Sequence, residues 1–249
     1  APKSFIDGCN RMDLIVVPSR FTKTTLENTS YDEKNKQTQQ LIAQHKITKP
    51  IEVLHEGVEL EKWQVPKKIE NFLENIETDF NYLVVGHWLQ GDIGQDRKDI
   101  GMTIKTFCTV FKDIPKKDQP GLILKTSTAG FSVMDRENIS KKIKDITKEF
   151  GDKCPSIYLL FGDLSENELA NLYHHPKVKS MLSFTKGEGY GRPLCEFTLT
   201  GKPIIVSKWS GHTDFLPENS TVYIDGTLTD IHPSAANEFL LKEAKWFSV

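Results

Sequence analysis

Two glutamates, Glu188 and Glu196, bracket a glycine-containing turn at residues 189–193 of the 249-residue sequence. The two glycines of the turn would let the backbone approach a ligand closely, and its proline suits the first turn of a following helix. Free N–H groups at such a helix start bind anions, and Arg192 would add positive charge. Carboxylates beside a phosphate are unfavourable unless they serve another task, such as accepting hydrogen bonds from sugar hydroxyls. The turn therefore predicts a ligand that carries both a phosphate and a sugar.

Each of these residues also has a simpler interpretation. Glu188 would then be a solvated loop residue, Glu196 an exposed helix position, and Lys98 and Lys125 ordinary surface charges. The ligand interpretation is favoured because both lysines follow strand-like runs, as the glutamates do, and could neutralise a diphosphate.

The elements that would position these residues are short apolar runs of strand length. They lie at residues 14–17, 51–54, 82–85, 122–125, 157–161, 178–184, 203–206 and 221–224. Segments whose apolar residues have the spacing of a helix lie between several of these runs. Examples are Ile100, Ile104, Phe107 and Phe111, and Ile139, Ile143, Ile146 and Phe150. Strands that are apolar throughout are typical of a sheet covered on both faces. We therefore predict an α/β fold with a Rossmann-like, doubly wound parallel sheet.

Ligands of such a sheet bind beyond the carboxyl ends of its strands. Four unusual loops follow predicted strands, at residues 86–101, 125–130, 162–169 and 185–197. Because parallel strands all end at one edge, we expect these four loops to lie together.

Residues 63–79 have low hydrophobicity and mixed charge, and they predict a linker. Residues 80–249 contain six strand candidates, enough for a complete Rossmann-like domain. Residues 1–62 contain only two, which cannot bury a sheet alone. We therefore expect residues 1–62 to be the tail of a preceding Rossmann-like domain, and the chain to be a fragment of a longer protein.

Composition excludes several classes of protein. The 32 basic and 34 acidic residues give a net charge of -2, which provides no attraction to nucleic acid. No apolar run reaches the roughly 18 residues of a membrane span, and the N-terminal residues do not resemble a signal peptide. The four cysteines are widely separated and are expected to be reduced thiols. Together these features predict a cytoplasmic, globular protein.

Other chemistries find less support in the sequence. It has no D-x-D pair for Mg²⁺, no G-x-x-x-x-G-K-[ST] loop and no G-x-G-x-x-G after the first strand of the complete domain. His174 and His175 have no partner at metal-ligand spacing, so we predict surface or capping roles for them and no bound metal. Residues 165–168 form a capping box, which predicts a helix that buries apolar residues behind it.

The segment from Glu188 to Glu196, EGYGRPLCE, resembles the E-x7-E motif of retaining glycosyltransferases of the GT-B fold, glycosyltransferase family 4. The surrounding residues 182–216 and the early segment DLIVVPSRFTKTTL also resemble that family. The resemblance implies that Glu188 contacts the donor sugar and that Glu196 binds the ribose hydroxyls of a nucleotide sugar. Lys98 is similar to the family lysine that neutralises the leaving phosphate.

Further donor-binding positions follow from the same resemblance. The backbone of Gly189, Tyr190, Gly191 and Arg192 would bind the diphosphate, and the backbone of Leu164 would meet the base. One departure follows Gly86, where the family often has arginine and this chain has His87. This departure implies either weaker binding of the phosphate or compensation by Arg97 or Lys125.

The resemblance further implies metal-independent transfer, with retention, from a nucleotide-diphosphate sugar to an acceptor hydroxyl. No cofactor is expected, because backbone N–H groups and Lys98 would stabilise the leaving diphosphate. The acceptor would be a saccharide or lipid-linked glycan in polysaccharide biosynthesis. Acceptor-binding groups, and any peripheral membrane contact, would come from the preceding domain.

Two alternatives stay open on the sequence. One is a non-catalytic module or scaffold that binds nucleotide sugars on the same fold. The other is an epimerase or phosphorylase of the GT-B fold, although no lysine stands out as the pyridoxal-phosphate attachment site that a phosphorylase needs.

Overall fold

The computed structural model describes residues 1–66, 68–69, 73–89 and 91–249. Four positions of the predicted linker, 67 and 70–72, and position 90 of the first predicted loop lie outside the described residues. The early part of the chain contains α1 (Lys3–Cys9), β1 (Ile15–Val17), α2 (Arg20–Glu27), β2 (Ser30–Lys34), β3 (Leu41–Lys46) and β4 (Ile51–Val53). Strands β1 and β4 pair in parallel, whereas β2 and β3 form an antiparallel hairpin between them in sequence.

A parallel sheet of six strands follows. In chain order its elements are β5 (Asn81–Val85), α3 (Ile100–Phe111), β6 (Gly121–Lys125), α4 (Val133–Thr147), β7 (Ile157–Leu160), α5 (Glu166–His174), β8 (Val178–Ser183), α6 (Arg192–Thr198), β9 (Ile204–Ser207) and β10 (Thr221–Ile224). The order across the sheet is β10-β9-β8-β5-β6-β7, and every pairing is parallel. Counted from β5, this is the 3-2-1-4-5-6 order of a Rossmann sheet, whose topological switch point lies between β5 and β8. The predicted α/β class and parallel sheet are confirmed.

Both faces of the sheet are covered, which explains why its strands are apolar throughout. On one face, Leu83 and Met181 pack with Leu172 of α5 and Phe197 of α6. On the opposite face, strand neighbours of those residues pack against α3 and α4, through Val84, Leu182, Ile104, Phe107 and Ile139. Burying each of these large side chains contributes about 1.5–3 kcal/mol.

Local sequence determines where the helices begin. Ser165 and Glu168 form the predicted capping box at the start of α5, and Leu172 and Tyr173 of this helix are fully buried. Helix α6 begins after Gly191, which has a left-handed backbone (φ 101°), and Pro193 lies in its first turn. His175 lies at the C-cap of α5, consistent with the predicted capping role, but it is buried.

The predicted linker contributes to the core of the later domain. Trp63 stacks on Tyr173 with ring centroids 5.5 Å apart, and Leu73 and Ile76 are buried in the same cluster. The division at residues 62 and 79 stays a prediction.

The chain ends in an antiparallel hairpin that the sequence did not predict, β11 (Thr227–Asp230) with β12 (Lys245–Ser248). Among the described residues, no helix has the length and apolar character needed to cross a bilayer.

Candidate functional site

A buried carboxylate with two cations lies at the switch point of the sheet. Glu188, in the loop after β8, forms an ion pair with Lys98, in the loop after β5, and accepts a hydrogen bond of 3.1 Å from Nη1 of Arg97. The Lys98 and Glu188 side chains are only 16% and 17% exposed. The structure therefore brings together three predicted site residues, two of which, Arg97 and Lys98, lie about 90 positions before Glu188 in the sequence.

Charge pairing keeps the Glu188 carboxylate ionised. Burial alone would raise the pKa of the Glu188 carboxyl, but the attraction and hydrogen bonds of Lys98 and Arg97 outweigh it and hold that pKa below its ordinary value. Burial lowers the pKa of the Lys98 ammonium, and the nearby Arg97 charge lowers it further, against the opposing effect of Glu188. A buried charge cluster of this kind is costly to assemble, which is why such clusters often mark functional sites.

The backbone beneath Lys98 needs a small residue. A Cβ at Gly86, at the end of β5, would lie 3.3 Å from Cδ and Cε of Lys98. The lysine stem thus crosses directly over Gly86 on its way to Glu188.

The two loops that carry the ion cluster are also joined by a backbone hydrogen bond and a second ion pair. The N–H of Lys186 donates to the carbonyl of Arg97 at 2.8 Å, and the Lys186 ammonium lies 3.1 Å from Oδ1 of Asp99. Lys186 and Asp99 are both buried. Burial raises the pKa of Asp99, partly offset by Lys186. This second ion pair, absent from the sequence predictions, fixes the loop after β5 against the loop after β8.

Glu196 lies in α6 and is buried, so its interpretation as an exposed helix position is wrong. Its Oε1 accepts a hydrogen bond of 2.8 Å from Nε of Arg192. Burial raises the pKa of Glu196 above its ordinary value, although Arg192 opposes the shift. Nearby Glu166 and Glu56 raise that pKa further.

Three other predicted residues have partners of their own. Nζ of Lys125, at the end of β6, donates to the carbonyl of Gly162 at 2.6 Å, and burial lowers its pKa. His87 is exposed, with Nδ1 2.8 Å from Oγ of Ser127. Leu164 is half-buried against the core.

The Tyr190 side chain turns away from the ion cluster. It is buried, and its hydroxyl donates to the carbonyl of Glu56 at 3.1 Å. The predicted role of Tyr190 uses only its backbone, which this orientation allows.

Sequence reasoning missed the residues that hold the Glu188 loop in shape. Ser19, the N-cap of α2, donates from Oγ to the carbonyl of Gly189 at 2.5 Å, across 170 positions of sequence. Oγ of Ser210 accepts a hydrogen bond of 3.0 Å from the N–H of Glu188. Serine is a typical N-cap residue, but nothing in the sequence indicated its contact with this distant loop.

His212 interacts electrostatically with Glu188 and Lys98 and is fully buried. Its Nε2 donates to the carbonyl of Ser207 at 2.8 Å, and burial lowers its pKa. Within the described part of the chain, no group of three or more His, Cys, Asp or Glu residues is arranged to hold a metal ion.

The architecture is similar to that of solved glycosyltransferase structures. HepE from Anabaena, solved with UDP and glucose, matches 90% of this chain and 52% of its own, with a TM-score of 0.61 and 14% identity. Sucrose-phosphate synthase from Thermosynechococcus elongatus matches 89% of this chain and 47% of its own, with a TM-score of 0.59 and 16% identity.

A third similar structure is a single domain. The C-terminal domain of the glycosyl transferase group 1 family protein LpcC from Francisella tularensis matches 68% of this chain and 80% of its own, with a TM-score of 0.51 and 14% identity. No protein-family model and no curated protein matches the sequence.

These comparisons define the fold class. The chain has an α/β structure whose six-stranded parallel sheet matches the Rossmann-like domains of GT-B proteins. It spans about half the length of HepE and of the sucrose-phosphate synthase.

Proposed function

We propose that this chain is the donor-binding part of a retaining glycosyltransferase that moves a sugar from a nucleotide-diphosphate sugar to an acceptor hydroxyl. The observation that carries the proposal is the largely buried Lys98–Glu188 ion pair, with the exposed Arg97 beside it, at the switch point of the sheet. Ligands of this fold bind at the switch point. The cluster supplies cations for a diphosphate and a carboxylate for sugar hydroxyls within one crevice.

The proposed donor extends from Glu188 toward α6. Glu196 would accept hydrogen bonds from the ribose hydroxyls, and the backbone of residues 189–192 would contact the diphosphate. Lys125 and the backbone of Leu164 would lie on the nucleotide side of the donor. The GT-B structures solved with UDP and glucose support this assignment of ligand class.

In the proposed reaction, the acceptor hydroxyl forms a bond to the anomeric carbon from the face that the diphosphate leaves. The bond between that carbon and the diphosphate oxygen breaks, and the leaving phosphate takes the acceptor proton. Negative charge grows on the diphosphate as this bond breaks, so the fixed ammonium of Lys98 stabilises the transition state more than the ground state. Metal independence is part of the proposal, because protein cations and backbone N–H groups would do the work of a divalent ion.

Calorimetric titration with UDP, GDP and ADP, with and without Mg²⁺, tests the site directly. We expect one of the three to bind without metal, and Glu196→Ala to weaken its binding at least about tenfold, since hydrogen bonds to a charged group contribute about 1.5–3 kcal/mol. Glu137→Ala, at an exposed position of α4, is the matched control. Binding of none of the three, or equal affinity in Glu196→Ala, would contradict the proposal.

The raised pKa of Glu196 predicts a pH dependence. The carboxylate form accepts hydrogen bonds from the ribose hydroxyls more strongly than the protonated form does. A raised pKa keeps the acid protonated at higher pH than an ordinary glutamate of pKa about 4.3. Nucleotide affinity should therefore fall as the pH decreases, and the fall should begin above the pH expected for an unperturbed carboxyl.

The control for this pH experiment is Glu196→Gln. The terminal phosphate of the ligand titrates at about pH 6 with the wild type and with Glu196→Gln. The difference between the two affinity profiles therefore reports on Glu196. Glu188 does not mask the effect, since its pKa is lowered and it stays ionised over the same range. Parallel profiles for wild type and variant would refute the assignment of Glu196 to the ribose.

A further inference from the structure

The C-terminal hairpin segment, residues 227–248, packs against the loop that carries Glu188. The N–H of Phe247 donates to the carbonyl of Lys186 at 3.0 Å, and the Lys186 ammonium lies 5.0 Å from the Trp246 ring centroid. The ring of Phe247 stacks on that of Trp209, with centroids 5.5 Å apart and an angle of 7° between the planes. This hairpin is therefore a fixed part of the surroundings of Glu188.

The space between Glu188 and the hairpin is a cavity of about 510 Å³. Glu188 and Arg97 line one side of it, Phe21 and Trp209 a second, and Trp246 and Ala244 the hairpin side. Phe21 meets Trp209 edge to face at 5.5 Å. Three segments that are distant in sequence thus place aromatic rings around one carboxylate.

Most of the side chains proposed to bind the nucleotide lie outside this cavity. Among the described residues, its lining includes none of Lys98, Lys125, Arg192 and Glu196. A nucleoside diphosphate bound by those four residues would leave the cavity free. Glu188, Arg97 and Gly189 form the wall that the cavity shares with the proposed donor site.

The lining fits a carbohydrate. The C–H face of a pyranose packs on aromatic rings, whose π faces attract the weakly positive hydrogens, while its hydroxyls donate to carboxylates and accept from guanidinium groups. Glu188 and Arg97 supply both polar partners, and the volume lies within the range of about 300–1,000 Å³ typical of small-molecule sites.

We propose that this cavity is the subsite for the acceptor saccharide, with Trp246, Phe21 and Trp209 as its aromatic walls. The proposal rests on the proposed glycosyl transfer, because only then does a second sugar approach the donor sugar at Glu188. It departs from the expectation that acceptor-binding groups come from the preceding domain, since the hairpin of this chain supplies one wall.

The test fills the cavity in one variant and removes an aromatic wall in another. Ala244→Phe adds a ring to the hairpin side, and Phe21→Ala removes a ring from the opposite side. Lys242→Phe adds the same ring at a position of the hairpin segment that is 82% exposed at its side chain and is not in the lining. All three variants are measured beside the wild type.

The readout is saturation-transfer NMR with glucose, galactose, mannose, N-acetylglucosamine, maltose and octyl glucoside, alongside the nucleoside diphosphate titration. We expect ring-proton signals from at least one saccharide with the wild type and with Lys242→Phe, and their loss in Ala244→Phe and Phe21→Ala. The nucleoside diphosphate affinity should stay equal in all four proteins.

Three outcomes would overturn the acceptor subsite: no saccharide signal with the wild type, a signal that survives in Ala244→Phe, or a signal confined to the alkyl chain of octyl glucoside. Failure of nucleoside diphosphate binding in the wild type would instead overturn the proposed function. The two failures are thus separated by which ligand is lost.

Discussion

Lys98→Met is expected to weaken nucleoside diphosphate binding by roughly ten- to a hundredfold, the loss that corresponds to about 1.5–3 kcal/mol for hydrogen bonds to a charged group. Methionine keeps most of the stem that crosses Gly86 and removes only the ammonium. Arg97 cannot replace it fully, because its Nη1 is engaged by the carbonyl of Gly187 at 2.7 Å as well as by Glu188. Calorimetric titration measures the effect.

A second readout follows the carboxylate itself. Lys98 is the strongest of the attractive partners that lower the pKa of Glu188, and burial opposes them. Removing the ammonium should therefore raise the pKa of Glu188, which carboxyl-carbon NMR would detect as a titration shifted to higher pH.

The matched control for Lys98→Met is Lys105→Met, which removes a half-exposed lysine of α3 paired with Glu149. We expect no change in affinity or in the Glu188 titration from this control. If Lys98→Met also left both unchanged, the ion pair would have no part in binding.

Most of the sheet could be predicted because burial on both faces leaves a direct trace in the sequence. Each strand from β5 to β10 is an apolar run, since the residues on both sides of its backbone enter a core. The order of the strands across the sheet could not be predicted from these apolar runs. The meeting of Lys98 with Glu188 therefore rested on the general rule that parallel strands end at one edge.

The elements that the sequence did not indicate are exposed or depend on distant contacts. Strand β2 is polar, and β3 has only three consecutive apolar residues, at 41–43. Both strands are mostly exposed, so neither hydrophobic alternation nor an apolar run of strand length marks them. Strand β12 has buried aromatic residues, Trp246 and Phe247, but only four residues. Its place against the Glu188 loop depends on Lys186 and Trp209, which no local pattern links to it.

The early part of the chain also shapes the candidate site. Beside the Ser19 contact with Gly189, the N–H of Arg20 donates to Oδ2 of Asp214 at 2.7 Å, and His55 lies 3.3 Å from the same oxygen. Asp214 lies in the segment after β9, four residues beyond Ser210, which accepts a hydrogen bond from the N–H of Glu188. The start of α2, which is not part of the six-stranded sheet, thus contacts both the loop after β8 and the segment after β9.

Gly211→Ala is the substitution expected to disturb this arrangement most. The N–H of Gly211 donates to the carbonyl of Glu188 at 2.9 Å, so the two backbones are in close contact. A Cβ at Gly211 would overlap the carbonyl oxygen of Gly189 and lie 2.9 Å from the backbone nitrogen of Tyr190. Backbone atoms cannot rotate away as a flexible side chain would, so the Glu188 loop must move.

Forcing a methyl group into packed structure costs about 1–3 kcal/mol, and each kcal/mol lowers Tm by roughly 2–4 °C for a protein of this size. Because residues 189–192 are the proposed diphosphate contact, nucleoside diphosphate binding should be lost in the same variant. Thermal unfolding and calorimetric titration measure the two effects.

Gly187→Ala provides the comparison, since a Cβ there would meet no atom within 4 Å and the residue does not have a left-handed backbone. This control lies in the same loop, so it separates the overlap at Gly211 from a general intolerance of the loop to side chains. A Gly211→Ala protein that melts and binds like Gly187→Ala would show that the loop can move without consequence. The close fit of Gly211 against Gly189 would then have no role in forming the site.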